Sequence, residues 1–468
     1  MQRIRSIVLF LMFSSSLVAC RVGRDYQRPD LALPAQFSAS TDTTSVGDME
    51  WKKFFTDTTL QSLIEKALKG NFDLQLAMRR VDEARAYVKQ ARVNWLPSLQ
   101  AQANASTTIP SSNSLNGISL ENFLKTTHVE DYTLGAALSW ELDVWGKLRR
   151  QREAAVSSYL QSYEAARAVQ TTLVAGIANT YFNLLMLDAQ LGTARRNLML
   201  GDTVVQMMQL QKQAGQVTEL AVQQAEAQRQ TAALLVPQLE EEVAVQENAL
   251  RILTGELPGP IARSTRLQQF TVPGDLPTGI PAAMISRRPD VRASEMALKA
   301  ANARAGVAQA NMYPSLSITA GGGINAFKAS KWFVMPASLF GTVAGNIVQP
   351  LFIQRQLRTQ LEVAKIQREQ AVIGFRQSAL NAIGEVSNAM VRLEKLESRH
   401  RIATEQVNTL HQAINNAGLL FKSGLATYLE VITAQSNSLQ AELNLADVHR
   451  QQLGAMVELY RSLGGGWK

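Results

Sequence analysis

The chain has 468 residues, 46% of them apolar and 18% charged, with a mean hydropathy of −0.07; that is enough for a large core and too little charge for a disordered chain. One cysteine excludes a disulfide framework, a multi-cysteine zinc site and a cysteine-held iron–sulfur cluster. A net charge of +8, spread rather than clustered, does not favour nucleic acid as a partner. Aromatic residues are only 6% and prolines 14, which suits long helices better than a sandwich or a compact α/β enzyme.

Residues 1–19 read as a lipoprotein signal peptide. Arg3 and Arg5 supply a positive start, residues 7–13 are an unbroken apolar run, and Leu17-Val18-Ala19 leads into Cys20. The run is too short to cross a bilayer, and no later stretch reaches the roughly 18 apolar residues that a spanning helix needs. The pattern resembles a bacterial lipobox, which implies lipidation of Cys20 as the mature N-terminus. A single acyl chain anchors weakly, so several chains or a second membrane attachment are expected. By resemblance to the enterobacterial sorting pattern, Arg21, standing where an Asp would retain the chain, allows outer-membrane delivery. Residues 20–56 read as an extended, lipid-anchored segment.

The rest is an internal duplication, with a first repeat over 57–255, a linker over 256–286 and a second repeat over 287–468. At one offset Asp73 meets Asp290, Asn94 meets Asn311, and Pro97-Ser98-Leu99 meets Pro314-Ser315-Leu316. At a second, slightly shorter offset Gly215, Thr218, Leu220, Val222 and Ala225 meet Gly424, Thr427, Leu429, Val431 and Ala434, and Gly255 meets Gly464. Each copy reads helix, two strands, very long helix, tight turn, long helix. The first helix stops at Pro97 or Pro314.

Strand signals follow. Leu99, Ala101, Ala103 and Ala105 alternate with polar residues, while Tyr132, Leu134, Ala136, Leu138 and Trp140 share one face. The second copy repeats this with Leu316, Ile318 and Ala320, then Leu339, Val343, Gly345 and Ile347. Apolar faces bounded by aromatics suit lipid-facing strands. Gly321–Gly323 reads as a bend or a close backbone approach.

The long helices carry the stronger pattern. An apolar stripe with a mean step of about 3.5 residues runs from Val372 through Phe375, Ala379, Ile383, Val386, Met390, Leu393, Leu396, His400, Ala403, Val407, Leu410, Ile414 and Ala417 to Phe421, the period of left-handed coiled-coil packing. The first copy has Leu173, Ile177, Tyr181, Leu184, Leu187, Leu191, Ala194 and Leu198. With no proline over 146–213, that helix could extend about 100 Å. Pro237 lies in the next helical run and its counterpart is Ala446, so the two hairpins should bend differently. The glycines at Gly215 and Gly424 suit the left-handed residue of a helix end. Four strands cannot close a membrane barrel, and a conduit needs at least three chains.

Chemistry leaves no trace. His128, His400, His411 and His449 are scattered, without a metal-binding spacing or a carboxylate partner at ligand spacing; no phosphate loop or nucleophile elbow occurs. No catalytic residue, cofactor or metal is expected.

Several stretches together resemble the outer-membrane factors of tripartite efflux systems, the TolC/OprM superfamily, and especially its NodT-like lipoprotein branch. They are Asp25-Tyr26-Gln27-Arg28-Pro29, Trp51 with Phe54-Phe55-Thr56-Asp57, and Asn71-Phe72-Asp73-Leu74. To these add Trp140 through Trp145-Gly146-Lys147 to Arg150, then Pro277-Thr278-Gly279-Ile280-Pro281 and Arg287-Arg288-Pro289-Asp290-Val291-Arg292. The resemblance implies a mainly helical chain with membrane β-strands, assembled as a homotrimer with a 12-strand outer-membrane barrel and a 12-helix periplasmic tunnel. It implies a passive duct for small molecules or drugs in an RND-type system, with a periplasmic adaptor (membrane-fusion) protein, an inner-membrane pump and outer-membrane lipid as partners. Residues 107–130 and 323–336 would be extracellular. The turns at 214–218 and 423–427 would be periplasmic tips, with Gly215, Gln216, Gly424 and Leu425 facing the adaptor. Glu430 and Thr433 would lie at the periplasmic aperture, where other members carry two acids. One departure stands out: Pro350-Leu351-Phe352-Ile353-Gln354-Arg355 lacks the glycine pair common there, which leaves the local turn geometry open. A protein-export duct with an ABC pump and a lipid-anchored periplasmic coiled-coil scaffold are the competing readings.

Overall fold

The computed structural model describes residues 22–31, 44–273 and 276–468; the signal peptide, Cys20 and Arg21 lie outside the described residues. The chain divides into two compact units. The first takes in the described part of Met1–Pro29 with Asp82–Leu160 and Met296–Ile373; the second takes in the described parts of Asp30–Val81, Gln161–Glu295 and Gly374–Lys468.

After α1 (Thr58–Gly70), the first repeat runs α2 (Phe72–Val93), β1 (Ser98–Thr108), β2 (Val129–Leu142), α3 (Lys147–Gln213) and α4 (Glu219–Thr254). The second runs α5 (Pro289–Ala310), β3 (Ser315–Ala326), β4 (Leu339–Val348), α6 (Gln356–Lys422) and α7 (Tyr428–Ser462). The long helices α3 and α6 have 67 residues each. Both α2 and α5 end four residues before their prolines, earlier than the sequence places the stop, because an intervening turn (Leu96 N–H to the Val93 carbonyl, 2.9 Å; Tyr313 N–H to the Ala310 carbonyl, 3.1 Å) precedes each proline. Helix α4 continues through Pro237. Among the described residues no helix is long and apolar enough to cross a membrane.

In the first unit the four strands form one antiparallel sheet in chain order, so the two hairpins join edge to edge through β2 and β3. The strands outrun the sequence reading: β3 continues to Ala326, into the segment read as a loop from Gly323. The β1–β2 connection carries a short helix, Leu115–Ser119, and a further helical turn, Leu120–Leu124. Gly323 stands opposite Gly135, and a Cβ on it would lie 2.2 Å from the Leu134 carbonyl oxygen, so the close approach is real. The Asp143 carboxylate opens α3 by accepting from the Leu148 and Arg149 amides at 2.8 and 3.0 Å. The glycine-free departure keeps a left-handed turn anyway, with Gln354 at φ 52° and Arg355 at φ 65°. Arg355 reaches Glu362 at 3.0 Å.

The second unit holds the main core. Ile177, Tyr181, Leu184 and Ala194 of α3 are fully buried with Leu60 and Ile64 of α1, Leu250 of α4 and Leu453 of α7. On α6 the stripe is buried at Phe375, Ala379, Val386, Leu396, Ala403 and Val407. Ala382 and Ala389 lie deeper than the neighbouring Ile383 and Met390, since small residues let the partner helix approach. The segment read as extended over 20–56 is not extended throughout its described part: Val46–Asp48 is a 3-10 turn and Trp51–Phe54 a turn of α-helix. Phe54 stacks on Tyr460 at 4.0 Å, and the Tyr460 hydroxyl donates to the Met49 carbonyl at 2.7 Å, which ties residues 49–54 to α7. Segment 256–286 carries a 3-10 turn, Leu267–Gln269, and most of a short helix, Pro281–Arg287.

The histidines are less scattered in space than in sequence. Helices α6 and α7 form a hairpin that sets His400 against His449 at 4.9 Å and His411 Nε2 2.9 Å from Glu442. Neither pair gathers a third ligand; among the described residues no cluster could hold a metal ion.

Candidate functional site

Two regions carry the candidate function, one in each unit. The first is the sheet. Directly opposed residues of adjacent strands share a face, and the register lines up the apolar alternation of all four. Leu99 pairs with Leu138 and that with Ala320; Ala103 pairs with Leu134 and that with Ile324; Ala320 pairs with Val343, and Leu316 with Ile347. The opposite face holds Gln100, Gln102, Asn104, Thr133, Ser139, Thr319, Thr342 and Asn346 in the same register. There Asn325 donates to Asp131 at 2.6 Å and to Thr133 at 2.8 Å. Large apolar side chains are left open: Leu99 is 72% exposed, Val343 81% and Ile347 75%. In water such a surface would be an aggregation hazard; in a bilayer it is a lipid face.

Aromatics mark both ends of the sheet. At the helix-bearing end the Trp140 indole donates to the Trp95 carbonyl at 2.8 Å, and Trp145 donates to the Pro314 carbonyl at 2.6 Å while stacking on Tyr313. At the other end Tyr132 meets Trp332 at 5.5 Å. Rings with one apolar side and one polar handle settle at membrane–water boundaries.

The same unit explains two of the sequence signatures. Arg150, 1% exposed, holds Asp25 at 2.9 Å, the Gly23 carbonyl at 3.1 Å and Glu153 at 2.6 Å, so the segment that follows Cys20 is pinned by the opening turn of α3.

The second region is the pair of helix turns in the second unit. Each closes by the same two bonds. Gln216 N–H reaches the Gln211 carbonyl and Gly215 N–H the Lys212 carbonyl; Leu425 N–H reaches Leu420 and Gly424 N–H reaches Phe421. This is the helix-ending arrangement that requires a left-handed residue, and Gly215 and Gly424 supply it at φ 70° and 74°. A Cβ on either would meet nothing within 4 Å, so conformation rather than space selects glycine. Behind the turns Val205, Met208, Ala225, Tyr428 and Val431 form a small core that joins both hairpins. Burial pushes the Tyr428 hydroxyl up to about 12. Gln216 and Leu425 are exposed, Leu425 by 77%.

Glu430 and Thr433 lie one turn apart on the exposed side of α7. The structure gives Glu430 a job the sequence reading missed. Thr427 is the N-cap of α7, its hydroxyl donates to the Glu430 carboxylate, and the backbone amides of Glu430 and Thr427 also reach that carboxylate. The Thr427 hydroxyl and then these amides hold the carboxyl below its ordinary value. The T-x-x-E spacing of a capping box was the available signal; Ala221 stands at the matching place in the first repeat, so only one tip is closed this way.

Arg288, of the Arg-Arg-Pro-Asp stretch, is 3% exposed. Its guanidinium binds Asp290 through two bonds (3.0 and 2.6 Å), Glu385 at 2.9 Å and the Ser462 carbonyl at 3.0 Å, fastening the start of α5 to the middle of α6 and the end of α7. Burial alone would raise the Asp290 carboxyl; the bonds and charge of Arg288 outweigh it and hold Asp290 low.

The profile of the family described as outer membrane efflux protein matches residues 63–256 and 280–465. The cation efflux system protein CusC of Escherichia coli O6:H1 is 30% identical over 462 residues, which cover 97% of this chain and 97% of that protein. The probable outer membrane lipoprotein SilC of Salmonella typhimurium is 29% identical over 448 residues, 95% of each chain. The MtrE outer membrane channel of Neisseria gonorrhoeae, solved in its open state, superposes with a TM-score of 0.85 at 27% identity, over 96% of this chain and 99% of that one.

Proposed function

The chain belongs to the outer membrane efflux protein family and is the outer-membrane channel of an efflux system, and we propose that it works as a passive homotrimeric exit duct for small molecules. The observation that carries the trimer is the sheet. It is amphipathic in register across all four strands, yet among the described residues β1 and β4 are each paired on one side only. Unpaired edges are not tolerated in hydrocarbon. Strand order alternates in direction, so β4 of one copy can accept β1 of the next as an antiparallel partner. Two copies would close only eight strands, a barrel filled by its own side chains; three leave a lumen lined by the polar face.

Helix α6 supports the same assembly. Away from its buried stripe it exposes Ile366, Ile373 and Leu380 at intervals of seven residues, a second seam that one chain leaves uncovered. Energy would come from an inner-membrane RND pump through a periplasmic adaptor that docks at Gly215, Gln216, Gly424 and Leu425. Glu430 and Thr433 would line the periplasmic aperture, and lipidated Cys20 would add a second membrane attachment. The repeats would divide at 57–255 and 287–468 around the linker.

Planar-bilayer recording of the purified full-length protein tests the reading. Stable conductance from a species that migrates as a trimer is expected. A protein that inserts without conductance, or conducts as a monomer, overturns the duct.

A further inference from the structure

The connection between β3 and β4 contains Phe327, Lys328, Lys331, Trp332, Phe333 and Met335, and residues 327–335 hold no acid. Phe327, Phe333 and Met335 are each more than half exposed. The segment is nevertheless well built. The Lys331 amide donates to the Lys328 carbonyl (2.9 Å), the Ser338 hydroxyl to the Lys331 carbonyl (2.7 Å), and the Asn325 amide to the Ser338 carbonyl (2.8 Å). Its position is set by Trp332, whose ring lies 5.5 Å from Tyr132, the residue that ends the apolar face of β2; Phe333 packs on Trp332 at 5.0 Å. The loop thus prolongs the lipid-facing surface of the sheet at the end where its hairpins turn. Lys328 and Lys331 stand one 3-10 turn apart there, and both are exposed.

We propose that this connection binds a phosphomonoester-bearing membrane lipid, the exposed rings lying against its apolar part and the two lysines on its phosphate. Continuity with the lipid face fixes the class of partner as lipid. Charge fixes the headgroup: a phosphomonoester carries about −1.5 to −2 at neutral pH and matches two ammonium groups, whereas a phosphodiester matches one. The proposal rests on the reading that this end of the sheet faces away from the periplasm.

The test titrates the purified full-length protein in detergent with bis-phosphorylated lipid A, with the same lipid dephosphorylated, and with dioleoylphosphatidylglycerol, following tryptophan fluorescence. Only the phosphorylated lipid A should bind tightly, and Trp332→Phe should remove the response. Replacing both Lys328 and Lys331 by Gln should weaken binding by about fivefold per lysine, while Lys422→Gln, the same charge change at a helical tip, should leave it unaltered. Equal binding by the double variant, or equal binding of either other lipid to the unaltered protein, overturns the proposal. Labelling of Ser330→Cys on intact cells with an impermeant maleimide, against the unaltered chain, reads the side of the membrane separately. A conducting channel that is not labelled overturns the orientation, whereas labelling without lipid A binding overturns this proposal alone.

Discussion

Arg288 sits where three separated parts of the second unit meet, and removing its guanidinium takes a partner from Asp290, Glu385 and the Ser462 carbonyl together, although Glu385 keeps Arg461 at 3.0 Å. The carboxylates left behind are partly exposed, Asp290 by 44% and Glu385 by 37%, so the cost is that of the lost charge-assisted bonds and the unpaired carbonyl, about 1–3 kcal/mol. Arg288→Met should therefore lower the thermal midpoint and the yield of folded protein. A midpoint within the scatter of the unaltered protein would show that the network contributes little. The sequence exposes Arg288 and its partner Asp290 as part of a signature but hides the other two partners, since Glu385 and Ser462 are remote along the chain and no local rule connects them. The left-handed pair Gln354 and Arg355 is the opposite case, a departure visible in the sequence whose outcome only the backbone reveals. A left-handed non-glycine residue costs about 1–2 kcal/mol, part of which glycine returns as lost chain entropy. Gln354→Gly should raise the thermal midpoint slightly; a lowered midpoint would mean that the Gln side chain offsets the strain.

At the scale of elements, periodicity makes most of the fold readable. The 3.5-residue stripe locates the packed face of α6, and the period-2 alternation locates all four strands. The same method misses Glu430, because a cap depends on one hydroxyl and a few amides rather than on a repeat. The two roles open to Glu430 are separable by chemistry. Glutamine keeps an oxygen that can accept from the Thr427 hydroxyl and the neighbouring amides and removes the charge, whereas alanine removes both. Glu430→Ala should make the second tip more susceptible to proteolysis, and Glu430→Gln should not. If Glu430 also lines a narrow aperture, Glu430→Gln should reduce cation preference in bilayer recordings; unchanged selectivity in a folded trimer removes it from the aperture.

The α6–α7 hairpin also carries a pH dependence. Burial lowers the pKa of His400, and burial followed by the neighbouring His400 lowers that of His449, opposed by the Phe270 carbonyl at 3.1 Å. Folded-state values below the unfolded one mean that the neutral rings stabilise the fold above the ordinary histidine value, and that this contribution is lost as pH falls through the folded values. The thermal midpoint should fall between pH 7 and pH 5 by more in the unaltered protein than in His449→Gln. Parallel curves would place the acid sensitivity elsewhere.

For the whole molecule, the sequence shows that four strands are too few, and the structure shows where the missing surface is. The exposed edges of β1 and β4 and the uncovered seam at Ile366, Ile373 and Leu380 of α6 are both repaired by the same operation, the addition of identical neighbours around an axis. That second seam is hard to see in the sequence, because helix faces become distinguishable only once the first stripe has been assigned to the core. Its energetic weight is testable at Leu380, which is 66% exposed in the single chain and lies outside the cluster that packs α1, α3, α4 and α7. Burying a leucine is worth about 2 kcal/mol, and a closed trimer would bury three. Leu380→Glu should leave the helical circular-dichroism signal of each chain intact and shift the protein from heat-resistant trimer to monomer on gels. Trimer in undiminished amount would mean that the α6 seam faces solvent or cargo, and that assembly depends on the strand edges alone.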